Sequence, residues 1–116
     1  MGKSVLREKS YRFAIRIISL ARLLQEGKKE FILSKQLLRS GTSIRAMMSE
    51  AEYAESRADF AHKLSIALKE ASETRYWIQL LDDSGYIADE GLLKGLHSDC
   101  GELIAMLIAT VKKVKK

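Results

Sequence analysis

Apolar residues recur every three or four positions along four successive stretches of this 116-residue chain, which contains no proline. Such spacing places apolar side chains on one face of an α-helix, whereas a strand would need alternation at every second position. The lack of proline is compatible with long uninterrupted helices. The pattern predicts an all-α chain, with helices at about residues 3–26, 31–55, 58–83 and 89–113.

Each predicted helix carries an apolar stripe that only another helix can cover. The four stripes comprise Leu6, Phe13, Ile17, Leu20 and Leu24; Leu37, Gly41, Ile44, Met48 and Ala51; Phe60, Leu64, Ala67, Ala71, Thr74, Ile78 and Leu81; and Leu93, Leu96, Cys100, Leu103, Leu107 and Val114. Short connections force neighbouring helices to run antiparallel. We therefore expect residues 1–116 to form one domain, an antiparallel up-down-up-down four-helix bundle.

Three residues predict details of helix ends and contacts. Gly85 suits the left-handed residue that closes the third helix, and Asp89 is a favourable N-cap for the fourth. Gly41 lies on the apolar stripe of the second helix. It either admits a closely packed neighbouring helix or marks a kink.

Three helices also carry apolar residues outside their core stripes, and on the fourth helix these are Ile104, Ile108 and Val111. A helix that is apolar on two sides is expected to be buried on both. These residues therefore predict an interface between copies of the chain, assembled into a ring or barrel, unless a broad core absorbs them. The predicted interface comprises Tyr11, Ile15 and Ile18 on the first helix and Ile66, Tyr76, Trp77 and Leu80 on the third.

The net charge of +5 is unevenly distributed, since residues 1–30 hold eight basic and three acidic side chains and the C-terminus is rich in lysine. Such cations attract phosphate backbones through counterion release. Ordinary surface ion pairing is the alternative. No aromatic platform interleaved with basic residues is present, which argues against base-specific binding of single strands. The candidate nucleic-acid-binding residues are Lys9, Arg12, Arg16, Arg22, Arg39, Arg45, Lys112 and Lys113.

No spacing typical of a catalytic, metal-binding or cofactor-binding site stands out in the chain. Cys100 lies on a core stripe, which predicts a buried thiol, and His62 and His97 are isolated on different helices. We therefore expect a protein that is not an enzyme, with no cofactor. One alternative stays open: Glu52-x-x-Glu55 and Glu70-x-x-Glu73 resemble the paired motifs with which all-α nucleotide pyrophosphatases hold magnesium.

Cellular location is predicted only by default. No apolar run approaches the ~18 residues of a membrane span. Arginines interrupt the apolar stretch in the first 30 residues, so this segment does not have the layout of a signal peptide. The chain has one cysteine, which excludes an intramolecular disulfide framework. We expect a cytoplasmic protein with no membrane partner.

Two blocks of sequence resemble a known family. They read QLLRSGTSIRA at residues 36–46, ending in Glu50-Ala51, and FAHKLSIALKEA at residues 60–71, followed by ETRYW at residues 73–77. Both are similar to the four-helix bundle proteins encoded in ribosomal RNA intervening sequences, and the similarity spans about residues 7–110. The chain departs from the usual family pattern at Arg45 and Met47, where the interface or ligand surface is expected to differ.

This family resembles in turn the accessory protein of diversity-generating retroelements, a pentameric barrel that binds nucleic acid and its reverse transcriptase. The resemblance implies a homopentamer that binds RNA or DNA and catalyses no reaction. A scaffold for a protein partner, such as a reverse-transcriptase accessory factor, is the alternative implied by the same relative.

Overall fold

Four helices account for most of the chain: α1 (Gly2–Lys28), α2 (Leu33–Ala51), α3 (Arg57–Asp83) and α4 (Glu90–Lys115). This computed structural model describes residues 2–115, with side chains from residue 5 onward. Met1 and Lys116, the ends of the predicted domain, lie outside the described residues. No strand occurs in the described part of the chain, so the all-α prediction is confirmed.

Consecutive helices run antiparallel and pack side by side. Ser10 of α1 lies 3.5 Å from the Met48 sulfur of α2 near one end, whereas Gln25 donates to Ser34 near the other. α1 also contacts α4, and within residues 2–115 the diagonal pairs α1 and α3 or α2 and α4 have no Cα atoms within 8 Å of each other. The result is a four-helix bundle of 44 × 22 × 19 Å.

The predicted stripes form the hydrophobic core. Every stripe residue of α1 and α2 is buried. On α3 and α4 only Phe60, Leu93 and Val114 are half-buried, because they lie towards the ends of their helices. Periodicity therefore identified most of the large core side chains, while Ile87, Ile104 and Val111 join the core from outside the predicted stripes.

Polar groups in this core are satisfied by neighbouring atoms. The Thr74 hydroxyl lies 2.7 Å from the Glu70 carbonyl oxygen and 2.9 Å from the Ser40 hydroxyl. The Cys100 thiol donates to the Ala71 carbonyl oxygen at 3.3 Å, and burial raises the pKa of Cys100 to about 11. The buried thiol agrees with the sequence prediction, and such a protonated thiol is a poor nucleophile.

Gly41 marks the closest approach of α1 and α2. A Cβ atom built on Gly41 would lie 2.8 Å from Cγ2 and 2.9 Å from Cγ1 of Ile17. α2 continues without a break from Leu33 to Ala51. Of the two predictions for this glycine, close helix packing is the one the structure supports.

The end of α2 differs from the prediction. The helix ends at Ala51 rather than near residue 55, and the Tyr53 and Ala54 N–H groups donate to carbonyl oxygens three residues earlier. Ser56, in an extended conformation, then accepts the Asp59 N–H as the N-cap of α3. The favourable cap of the next helix thus ends α2 four residues early.

The turn from α3 to α4 agrees with the prediction. Gly85 has a φ of 80°, and its N–H and that of Tyr86 donate to the Asp82 and Leu81 carbonyl oxygens, respectively. This pair of bonds is a Schellman motif. The Asp89 carboxylate accepts the Leu92 N–H and caps α4.

Glu30 caps α2 from inside the turn that follows α1. Its carboxylate accepts the backbone N–H groups of Ile32, Leu33 and Ser34 at 3.1, 2.9 and 2.7 Å. Burial tends to raise the pKa of this carboxyl, but the backbone donors outweigh burial and hold the pKa below its ordinary value. Lys29, with a φ of 55°, turns the chain into this position.

Replacing Glu30 by alanine is expected to lower the free energy of unfolding by about 1–2 kcal/mol at pH 7, because three donors lose their acceptor. A lowered native pKa stabilises the fold above the unfolded value and ceases to do so as pH falls through the native value. The loss should therefore shrink below pH 4.5, the ordinary value of this carboxyl. Urea denaturation of the wild type and the variant at pH 7 and at acidic pH measures this loss of stability.

Glu26→Ala is the matched control, since Glu26 is exposed on the same end of α1. It should change stability by less than about 0.5 kcal/mol. Equal stability of both variants, or a difference that persists at acidic pH, would contradict the capping role of Glu30.

Candidate nucleic-acid interface

Two of the predicted phosphate ligands connect α1 to α4. Lys9 donates to Glu102 at 3.0 Å, and Arg16 pairs with Asp99. The Arg16 guanidinium lies over Gly95, where a Cβ would come 2.7 Å from Nη2. Both cations therefore have acidic partners within the protomer, at the side of the bundle where helices contact least.

Arg39 connects α2 to α3 in the same manner. It donates to Glu70 at 3.2 Å and to Glu73, which also accepts the Trp77 indole N–H at 2.9 Å. The hydrogen bond to Glu73 raises the pKa of the Arg39 guanidinium. The bonds from Trp77 and Arg39 hold the pKa of the Glu73 carboxyl below its ordinary value. Arg39 therefore forms ion pairs that connect α2 to α3.

The remaining predicted arginines have different surroundings. Arg12 pairs with Glu8 at 2.5 Å along the exposed side of α1. Arg45 is half-buried between α1 and α2, donates to Ser49, and has an Nε atom without a hydrogen-bond partner in the described structure. Arg22 is exposed and has no ion pair among residues 5–115.

The last turn of α4 presents unpaired positive charge. Lys112, Lys113 and Lys115 are exposed, and none pairs with a carboxylate in the part of the chain described. Arg57 at the start of α3 donates its Nε–H to the Val114 carbonyl oxygen at 2.7 Å. The lysines offset the negative end of the α4 dipole and leave charge available to an external anion.

A surface depression, here called the α3–α4 groove, lies beside this turn. It consists of two adjoining hollows of about 890 and 600 Å³ that share Leu68, Val111 and Lys115. No acidic residue lines either hollow. The basic and histidine side chains of the lining are Arg57, His62, Lys69, Lys112 and Lys115.

Of these lining side chains, only Lys112 is among the nucleic-acid-binding residues predicted from the sequence. The spacing of Ala58, His62, Ser65 and Lys69 does mark one exposed stripe of α3 without acids. The sequence does not predict which stripe of α4 lies beside this stripe of α3, because the answer depends on how the two helices pack.

The predicted self-association residues of α1 are exposed. Tyr11, Ile15 and Ile18 are 58%, 49% and 41% accessible, on the side of the helix opposite Ile17. Adjacent apolar side chains with this exposure are typical of an interaction surface. We call these three residues the α1 face.

The corresponding residues of α3 are less accessible. Ile66, Trp77 and Leu80 are half-buried, and one side of Trp77 packs against the core. Only Tyr76 is exposed, and its ring contacts that of Trp77 edge to face at 4.9 Å. The broad core thus absorbs part of the apolar surface that periodicity assigned to an interface.

Further exposed apolar residues lie outside the predicted interface, and of these only Ile108 was noted from the sequence. They lie in the connections between helices and on the rest of α1: Val5, Leu23, Phe31, Ile32 and Tyr53, with Ile108 on α4. Most lack the helical spacing that makes a stripe recognisable. They lie outside the α1 face.

Three of the four carboxylates considered for magnesium are paired with arginines. Glu70 and Glu73 accept from Arg39, and Glu52 pairs with Arg7. Within the described residues, no group of three or more His, Cys, Asp or Glu side chains is arranged to hold a metal ion. No helix in that range is long and apolar enough to cross a membrane.

A family model and a solved structure both relate this chain to one family of proteins. A family model described as 23S rRNA-intervening sequence protein matches residues 3–109. A crystal structure at 1.70 Å resolution, of a protein with unknown function from the S23 ribosomal protein family of Bacteroides thetaiotaomicron VPI-5482, is 48% identical. The match covers 97% of this chain and 99% of that one, with a TM-score of 0.93. No protein of curated function matches significantly. The chain belongs to the 23S rRNA-intervening sequence protein family.

Proposed function

We propose that this protein is a non-enzymatic, cytoplasmic helical bundle that binds RNA or DNA through backbone phosphates. The observation that carries the proposal is the last turn of α4, where three exposed lysines have no acidic partner in the described structure. Polyanions bind such clusters because they release condensed counterions. Family membership supports a ribosomal RNA context for this activity.

The eight predicted cations contribute unequally under this proposal. Lys112, Lys113 and Arg22 are available without breaking an ion pair, whereas Lys9, Arg12, Arg16 and Arg39 must first leave a carboxylate. Exposed ion pairs are worth about 0.2–1 kcal/mol each, so phosphate competes with them at a modest cost. Affinity should show little dependence on base sequence, since phosphate contacts carry none.

Self-association is the second part of the proposal. The exposed α1 face supports an assembly of identical subunits, and a ring or barrel of five is the form that the family resemblance implies. In such an assembly each cation is repeated around the symmetry axis. Several weak phosphate contacts then act together, which raises the affinity for a long polynucleotide.

A protein-docking scaffold, such as an accessory factor of a reverse transcriptase, is the second candidate. The same α1 face favours it, because an apolar helix surface can also dock a different protein. A partner held by apolar contacts should stay bound at moderate salt, whereas a polynucleotide should dissociate. A magnesium-dependent nucleotide pyrophosphatase is a remote alternative, which turnover of nucleoside triphosphates with magnesium would establish.

Fluorescence anisotropy tests the proposal directly. Two labelled RNAs of equal length and unrelated sequence are titrated with the protein at low salt. We expect both to bind with affinities that agree within about threefold, because the contacts are to phosphate. Absence of binding to either RNA would contradict the proposal, and a strong preference for one sequence would contradict the phosphate-only mode.

A further inference from the structure

The α3–α4 groove combines two properties that phosphate binding alone does not require. Its lining includes cationic side chains from both helices and no carboxylate. Its floor is aliphatic, formed by Leu68, Ile108, Val111 and Val114. A cationic patch that served only to bind phosphates would have no use for an open apolar floor.

The charges flank this floor on both sides. Arg57 and Lys69 lie twelve residues apart on α3, which spaces them about 18 Å along the helix. Lys112 and Lys115 lie one turn apart on the facing side of α4. A chain lying in the groove would therefore have positive charge along both edges and aliphatic carbon beneath it.

The spacing typical of packed helices argues against a duplex as the ligand of this groove. Packed helices have axes about 8–10 Å apart, so the space between their outer side chains admits one strand. A duplex, with bases stacked inside, would touch only the outermost lysines. A single strand exposes its bases, which bury apolar ring faces while the phosphates remain near cations.

We propose that the α3–α4 groove binds single-stranded nucleic acid, with bases against the aliphatic floor and phosphates towards the lysines of the two edges. This inference rests on the proposed function and adds the strandedness and location of the ligand. Because the floor lacks aromatic rings and fixed hydrogen-bond donors, binding does not distinguish one base from another. It therefore agrees with the absence of a base-specific platform in the sequence.

The first test compares charge variants of equal net charge. Lys112→Glu with Lys115→Glu changes the groove, and Lys28→Glu with Lys35→Glu changes exposed lysines at the opposite end of the bundle. Affinity for a labelled oligothymidylate of about 12 nucleotides is measured by anisotropy. We expect the groove variant to lose about tenfold or more and the control less than about threefold. Circular dichroism verifies that both variants fold.

The second test separates bases from phosphates. The wild-type protein is titrated with the same oligonucleotide, with an abasic oligonucleotide of equal length, and with the corresponding duplex. We expect the intact single strand to bind about fivefold or more tightly than either competitor, since bases remove apolar surface of the floor from water at about 25 cal/mol per Å². Ile108→Asn, at an exposed floor position, should reduce binding of the intact strand and leave abasic binding unchanged.

The outcomes distinguish the two proposals. If the wild-type protein binds nucleic acid but groove and control variants lose equally, or if duplex and abasic strands bind as well as the intact strand, the groove assignment is overturned and the proposed function stands. If no nucleic acid binds, both are overturned. Binding to phosphatidylglycerol vesicles without binding to any of the nucleic acids would also overturn both.

Discussion

Replacing Gly41 by leucine is expected to lower the free energy of unfolding by about 3 kcal/mol, the upper end of the usual cost of overpacking a core. Even the Cβ atom would lie 2.8 Å from Cγ2 of Ile17, a residue that is fully buried. The larger side chain can only be accommodated if α1 and α2 separate. Urea denaturation measures the loss.

A milder variant isolates the cause. Gly41→Ala gains up to about 1 kcal/mol of helix propensity but adds the colliding atom. In a background of Ile17→Ala, which removes both neighbouring Cγ atoms, the same change should become neutral or stabilising. Gly101→Ala is the matched control, since nothing lies within 4 Å of its Cβ position. If Gly41→Ala is harmless with Ile17 intact, close packing at this point is refuted.

Replacing Ile15 and Ile18 by glutamate is expected to convert an assembly into single protomers. The wild-type protein should scatter light as a multiple of 13.1 kDa at micromolar concentration, and the double variant as one 13.1 kDa unit. The substitutions place charge in the α1 face but leave the core untouched, since both side chains are exposed. Melting temperature should therefore change little.

Leu23→Glu provides the control for this variant. Leu23 is 60% accessible on a different side of α1, so exposure alone does not distinguish it from the α1 face. It should leave the mass of the assembly unchanged. A wild-type protein that scatters as one 13.1 kDa particle would contradict self-association through the α1 face.

The double variant should also bind RNA more weakly, because separated protomers lose avidity.

Periodicity predicted the bundle well because core burial depends on one property of each residue. Ile17, Ile44 and Leu103 recur at helical spacing and are buried wherever their helix is placed. Helix ends depend on competition between neighbours, which is why the Ser56 cap shortened α2. The resemblance of two sequence blocks to the rRNA intervening-sequence proteins agrees with the family match over residues 3–109.

The candidate site was predicted less completely because it depends on pairs of helices. Arg39 and Lys112 are both basic residues on a helix surface, yet only Arg39 meets carboxylates of the neighbouring helix. Trp77 lies outside the core stripe of α3 but is partly covered by the bundle. Lys69 became a candidate only because residues of α4 line the same groove, and a pattern within one helix cannot show this.

The salt dependence of RNA affinity tests the central claim most directly. If the unpaired cations bind backbone phosphates, the logarithm of affinity should fall linearly with the logarithm of salt concentration. About four phosphate contacts on a single strand give a slope of about −3, and a steeper slope is expected when several subunits engage one strand. An affinity that stays constant between low and moderate salt would contradict the account.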